Sequence, residues 1–517
     1  MRGSAVPARR VLIAAACLAL SWPQPHDAAD PRSPPPAAED EVAAAPASAA
    51  PLRAGAPDAP AATAATLPAS VLPPPALSPH PSPHPLPPGA NVFLPAAESA
   101  AVTLAMMGWN RWVGEAPWAD ITGDSIGRNL RSAWVLDDDQ FWINQFGHPY
   151  QGMWSMTAAR SAGLGFWGST PYTIASSLVW EIAGETEPPS INDQITTPIG
   201  GIVLGEVLFR LAGILRGDGR NPWRELGAGL LAPMDALNHG LLHDGHDELD
   251  EPRAWTLSAG PVAARLAWDA AGPPPGWETS PEVAFRMVHG LAWHPAFRFE
   301  RPFDHFELEA AYAGRSNPDA TLILRGLLAG ATYGDPAGWR GVYGLYGSFD
   351  LDTPGVFRVS TSALGLGTSG GRLLAHDVRV EGTAIVSGIL IGGGGQVARD
   401  AEGKGRDYRL GPGGQSVLEL QLTAAERATV RLGLRNYLLF GAGTIGGDEL
   451  IGAGDAAVVV RIAGEHGVGI EGTLHTRTLW PETGGREAFT GRSVRVFWEM
   501  NGFHAPPEPL DPALLTQ

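Results

Sequence analysis

The chain has 517 residues, and its 36 Lys and Arg against 54 Asp and Glu leave a net charge of -18. So acidic a balance argues against nucleic acid as a partner. With one cysteine, Cys17, no internal disulfide and no cysteine metal cluster can form.

Arg2, Arg9 and Arg10 precede the apolar stretch Val11–Leu20, the pattern of an export signal over residues 1–29 and too short for a stable bilayer span. Cys17 lies inside that stretch. Residues 30–91 are built mainly of Pro and Ala without apolar periodicity, which predicts a disordered tether. His80 and His84 sit in it as solvated spacers, and the tether leaves room for a periplasmic or envelope partner.

Over residues 92–250 the period turns helical. Segments 98–113, 125–134, 152–162 and 176–184 read as helices. Pro198–Leu215 reads as another, with Thr197 as N-cap, Pro198 at the first position and Ile199, Val203, Leu208, Leu211 and Leu215 on one side. Glu206 and Arg210 interrupt it four residues apart, which predicts an ion pair on a packed helix rather than a lipid span. His239, His243 and His246, with Asp244 and Asp247, read as a polar loop leading out of this region.

From 251 to 503 the period is two. Phe306, Leu308, Ala310 and Tyr312 alternate with Glu307, Glu309 and Ala311. Leu418, Leu420 and Leu422 alternate with Glu419 and Gln421, and Val494, Val496 and Trp498 with Arg495, Phe497 and Glu499. About 12 such segments have the ~9–11 residues that a tilted membrane strand needs. Trp293, Trp339, Tyr343, Tyr437, Trp480 and Phe503 stand near segment ends, as interfacial girdles require. The predicted fold is α+β: a short helical domain, then an antiparallel transmembrane β-barrel, then an extension over 504–517. Outer-membrane lipid is the expected surroundings. A soluble β-sandwich acting as a periplasmic binding module shares the alternation and is the rival architecture.

Between Trp134 and Arg210 lie the residues able to carry chemistry. His148 before a helix reads either as a general base or metal ligand, or as a hydrogen-bonded buried histidine. Glu181 and Glu185 lie four apart and repel unless they share a proton, a cation or an arginine. With His148 and Asp193 they make a candidate N/O metal site; with Arg160 or Arg210 they make a structural network, the reading favoured here. Glu187 ends its helix before two prolines. Asp193 has the offset of a capping partner to Ser190, and Asp137–Asp139 read as a solvated turn. The expected polar network is Arg160, Glu187, Asp193, Glu206 and Arg210. No nucleophile elbow, phosphate loop or dinucleotide fingerprint is present, so no cofactor is expected.

The blocks WVLDDDQFWINQFGHPYQG, AARSAGLGFW, SLVWEIAGETEPPSIND, GGIVLGEVLFR, NPWREL and LAPMDALNHG, in that order over about residues 108–245, closely resemble the bacterial family called domain of unknown function 3943. The resemblance implies an exported envelope protein with a strand-rich region after the domain, and it brings no activity with it. The expectation is therefore an outer-membrane barrel with a periplasmic or plug-like helical domain, structural or gating, and not an enzyme. A membrane-interface lipid hydrolase using His148 with Glu181, Glu185 or a nearby serine is the alternative.

Overall fold

The structure, a computed structural model, describes residues 91–505 apart from 218–220, 243–250, 269–275, 315–318, 336–337, 356, 376, 396–407 and 443–445. The export signal, nearly all of the Pro/Ala tether, His243, His246, Asp244, Asp247 and most of the C-terminal extension lie outside the described residues.

The first part holds seven α-helices among the described residues: α1 (Leu94–Trp112), α2 (Gly123–Asn129), α3 (His148–Ser161), α4 (Phe166–Ala183), α5 (Asp193–Arg216), α6 (Pro222–Leu231) and α7 (Pro233–Leu242). Local chemistry sets their starts. Thr122 and Ser125 form a reciprocal capping box on α2: the Ser125 N–H donates to Thr122 Oγ1 at 3.1 Å, and the Thr122 N–H to Ser125 Oγ at 2.9 Å. Asn221 accepts from the Trp223 N–H at 3.0 Å ahead of Pro222 on α6. The expectation for α5 needs correction. It begins at Asp193, not Pro198, so Pro198 lies inside the helix and Thr197 is not its cap. The Ser190 side chain, accepting from the Asp193 N–H at 3.2 Å, starts the helix earlier. Helices α6 and α7 were not expected, because their short apolar faces are broken by Gly and Pro.

The second part is a closed barrel of twelve antiparallel strands. They are β1 (Arg253–Trp268), β2 (Glu278–His289), β3 (Phe306–Ala313), β4 (Asp319–Gly334), β5 (Arg340–Asp352), β6 (Arg358–Ala375), β7 (Val378–Gly395), β8 (Tyr408–Ala424), β9 (Ala428–Gly441), β10 (Gly447–Ala463), β11 (His466–Trp480) and β12 (Glu487–His504). Each pairs with its sequence neighbour, and β1 closes on β12 from Arg253↔His504 to Trp268↔Phe489. Closure rules out the sandwich. The alternation now has a direction: Leu418, Leu420, Leu432, Val458, Ile470 and Val496 are exposed on the outer wall. Arg325, Asp350, Glu449 and Arg477 are buried within. Apolar outside and ionic inside is the construction of a barrel that faces lipid.

Two girdle expectations fail. Tyr437 is fully buried in the lumen and donates to Asp350 Oδ2 at 2.8 Å. Its parity, opposite to Leu434, places it inside. Trp293 lies in the loop between β2 and β3 with the Arg379 guanidinium 4.5 Å over its ring. Trp339, Trp480 and Phe503 are exposed.

The helices do not plug the barrel. They pack on its outside, over outward-facing residues of β3 to β8. Met153, Met156, Phe166, Val203, Leu204 and Val207 share one core with Phe306, Leu308, Leu324, Phe349, Leu351, Ile391 and Tyr408. Among the described residues α5 alone is long and apolar enough to cross a bilayer, with mean hydropathy 1.7. Its apolar side chains are used on α3 and the barrel wall. Phe303, in the left-handed region (φ 65°), lays its ring on Gly326 of the wall, where a Cβ would come within 2.2 Å, and meets Phe166 of α4.

On the uncovered wall, Leu434→Arg, at the middle of β9, is expected to cost about 2–4 kcal/mol in reversible folding into lipid vesicles, as a charge near mid-bilayer does. A cost near zero would remove that strand from lipid.

Candidate functional site

The chemistry-bearing residues of the helical domain meet where α3 crosses α5. The two backbones touch: a Cβ on Gly152 would lie 2.1 Å from the Thr197 carbonyl oxygen, and one on Gly201 2.6 Å from Gly152. His148 lies one turn before Gly152, while Thr197 and Asp193 lie one and two turns before Gly201. The glycine contact therefore sets His148 against Thr197 and Asp193. The C-terminal turn of α4 brings Glu181 in from the third side.

The His148, Glu181 and Asp193 side chains are buried, and one N or O atom from each lies within 4.8 Å of the others. Thr197 Oγ1 is 3.2 Å from His148 Nδ1, which leaves Nε2 facing Asp193 Oδ1 at 3.6 Å. Glu181 Oε2 accepts from the Ser190 N–H at 2.7 Å, and Oε1 has no hydrogen-bond partner. Asn192 Nδ2 bridges Asp193 Oδ1 and Asp137 Oδ2, each at 3.0 Å. Asn144 Nδ2 reaches Asp137 Oδ1 at 2.6 Å and the Tyr408 hydroxyl of the barrel at 2.9 Å. Asp137 is thus half-buried and hydrogen-bonded, not the solvated turn expected.

Burial dominates the electrostatics. It pushes His148 down to about 4, with the Asp137 charge pulling the other way. It pushes Glu181 up to about 8, against the Ser190 N–H and with the help of Asp137 and Asp139. Asp193 is raised by burial and then by Asp137, whereas hydrogen bonds from Asp193 and Asn144 outweigh burial and hold Asp137 below the usual carboxylate range. At neutral pH His148 is uncharged, and Asp137 carries the negative charge.

The residues expected as one network occupy two places. Arg160 donates to Glu206 at 2.7 Å, and Arg210, one turn along α5, donates to Glu206 at 2.8 Å. Arg210 continues to the Pro302 carbonyl at 2.8 Å and Asp304 at 3.4 Å, joining α5 to the barrel loop. Both guanidiniums are therefore on Glu206 and neither on Glu181. Asp193 belongs to the His148 centre. Glu185 is half-buried, its backbone carbonyl accepting from Asn129 Nδ2 at 3.0 Å, and Glu187 is exposed. The His148 ring is hydrogen-bonded to Thr197, and among the described residues no serine hydroxyl pairs with it to support the hydrolase reading. Asn144, Asn192 and Thr197 were missed. The signal for Asn192 and Thr197 was their spacing around Asp193.

Gly201→Ala forces a methyl group into backbone and is expected to destabilise the helical domain by about 1–3 kcal/mol, read from denaturant unfolding followed by tryptophan fluorescence. An unchanged midpoint would mean that the helices separate easily. Glu206→Gln leaves the Arg160 guanidinium without its counter-charge and Arg210 with Asp304 alone, and should cost about 3–5 kcal/mol. Burial alone would raise the Glu206 pKa, but Arg160 and Arg210 outweigh it and hold it below its ordinary 4.5. A depressed folded pKa contributes stability that is full above that value and fades as pH falls toward the folded one. The stability of the helical domain in detergent should therefore fall as pH drops below about 4.5, with a smaller slope in Glu206→Gln; identical slopes would rule Glu206 out.

No curated protein matches the chain. Among solved structures it is similar to the KdgM porin, at 9% identity over 46% of this chain and 97% of that one with a TM-score of 0.21. It is also similar to the translocator domain of the autotransporter NalP from Neisseria meningitidis (12%, 52% and 95%, TM-score 0.24). A third is the outer membrane channel DcaP of Acinetobacter baumannii (6%, 48% and 96%, TM-score 0.23). These likenesses add nothing to what the barrel's own geometry carries. Residues 133–234, which hold the whole His148 centre, match the family described as Domain of unknown function (DUF3943).

Proposed function

We propose that the protein is an outer-membrane barrel whose lumen is a closed, gated passage for a small polar solute. The observation that carries this reading is a belt of ion pairs across the lumen. A cavity of about 600 Å³ lies at the end where β1 starts and β12 finishes, and one of about 90 Å³ lies beyond it. Arg286, Glu309, Arg435 and Asp455 line both and stand between them. Arg286 contacts Glu309 at 3.1 Å and Glu471 at 3.4 Å, while Arg435 contacts Glu309 at 3.2 Å and Asp352 at 3.5 Å.

Away from the belt the lumen holds apolar packing together with further ion pairs such as Arg325 with Asp350 at 3.2 Å. Phe357 buries itself with Val359, Ile389, Tyr437 and Leu439 toward one end. Phe297 of the β2–β3 loop does the same with Leu327, Val342 and Tyr346. A lumen needing only filler would be more stable with apolar residues at the belt as well, because buried ion pairs seldom repay their desolvation. Charged partners that can exchange one another for a passing ion give a belt a use. The helices on the outer wall leave gating to the barrel's own residues.

The wild-type protein in a planar bilayer should be silent or open only briefly. Replacing Arg286, Glu309 and Arg435 together by Ala should raise the open time and conductance severalfold, with heat-modifiable migration showing that the barrel still folds. A folded but silent triple variant would overturn the passage and leave the barrel as a membrane anchor.

A further inference from the structure

We propose that His148, Glu181 and Asp193 bind one divalent first-row transition metal ion, of the kind that accepts mixed imidazole and carboxylate ligands, such as Zn2+ or Mn2+. This inference is independent of the lumen reading, since the centre lies wholly in the helical domain.

Three features of the centre point to an ion rather than to a hydrogen-bonded network. The first is spacing. His148 Nε2 and Asp193 Oδ1 are 3.6 Å apart, too far for a hydrogen bond between them. Two ligands each about 2.1 Å from a tetrahedral ion sit about 3.4 Å apart. No two atoms of the set are more than 4.8 Å apart, so any pair closes by at most about 0.6 Å to reach the ~4.2 Å limit for two ligands on one ion. The second is the unpartnered oxygen. Glu181 is fully buried, its Oε2 is held by the Ser190 N–H, and its Oε1 has no hydrogen-bond partner. Leaving a buried carboxylate oxygen without a partner is costly, and a cation removes the cost.

The third is orientation. A histidine ligand usually has its second nitrogen held by another group, which fixes the ring. Thr197 Oγ1 at 3.2 Å does this at Nδ1 and directs Nε2 inward. Asn192 holds Asp193 and Asp137 in the same way. An ion that displaces the protons of Glu181 and Asp193 would meet two carboxylates and a neutral imidazole, which balance a divalent charge, in a place where Arg160 and Arg210 are already on Glu206. The donor set contains no sulfur, which favours borderline and harder ions over Cu+.

The test uses the full-length protein in detergent, stripped with a chelator and titrated with Co2+, whose visible absorption reports inner-sphere ligands. Wild type should give a saturable spectrum at on the order of one ion per chain, displaced by Zn2+. Glu181→Gln keeps the shape and the Ser190 contact and should weaken binding by about 100-fold or more; Asn192→Ala, acting through Asp193, should weaken it by about 10-fold. Heat-modifiable migration and far-UV circular dichroism show whether each variant is folded. Replacing His239, His243 and His246 by Ala should leave the spectrum unchanged. No saturable spectrum in the wild type overturns the proposal. So does binding that survives Glu181→Gln, or that disappears with the three histidines, because the ion would then be held elsewhere.

Discussion

Every backbone N–H and C=O that faces lipid must be paired within the protein, and the pairing of β1 with β12 is what completes that account. Closure then dictates the side chains. Along each strand alternate residues face lipid and must be apolar, as Leu418, Leu420 and Leu422 are, so the residues between them face a confined lumen. Charged groups placed there cannot be fully solvated and must find one another. In the belt of Arg286, Glu309, Arg435 and Glu471 they do so. Closure thus dictates that such charges be paired, though not that they be present.

The helical domain exploits the same outer wall. A helix with one apolar face needs a second layer to cover it, and α5 is too apolar to be satisfied by its neighbours alone. The outward side chains of β3 to β8 supply that layer, with Phe349 and Leu351 lying under the Val203 and Val207 side of α5. This explains how α5 resembles a membrane span in composition while carrying Glu206 and Arg210 in its middle. The ion pair is shielded by protein, and Arg210 extends it to Asp304 on the barrel loop. Hydrophobic docking and a buried charge contact thus hold the two parts together at the same helix.

Much of the barrel was legible in the sequence because its signal is local: period-two alternation in Phe306–Tyr312, Leu418–Leu422 and Val494–Trp498 reads directly as two faces. Parity would also have placed Tyr437 inside, had it been counted from Leu434 rather than from the segment's end. The helices were legible where apolar spacing was long. The start of α5 was not, because Pro198 is a strong starting signal and the Ser190–Asp193 contact that outcompetes it is a single hydrogen bond. Where the domain sits was not legible at all. An apolar outer wall under lipid and one under helices have the same composition, so no sequence pattern separates the covered strip of β4 and β5 from the bare strip of β9 and β10.

The two buried charge clusters of the helical domain share α5 yet solve the same problem differently. Glu206 is surrounded by two guanidiniums, and an attraction of several kcal/mol per pair at short range and reduced dielectric repays its burial. Asp193, about four turns earlier on the same helix, has an imidazole and other carboxylates for company, and protein groups offer it hydrogen bonds without a compensating positive charge. A packing contact alone has no need of such acids, since apolar residues are less costly to bury. The backbone contact of Gly152 on Gly201 holds them rigidly beside His148. Rigidity is completed from outside the domain: Asn144 ties Asp137 to the Tyr408 hydroxyl, and Arg358 stacks 4.9 Å over Phe141 next to it. The barrel therefore acts as one wall of the acidic centre, and the centre keeps its shape only while the helices remain seated on that wall.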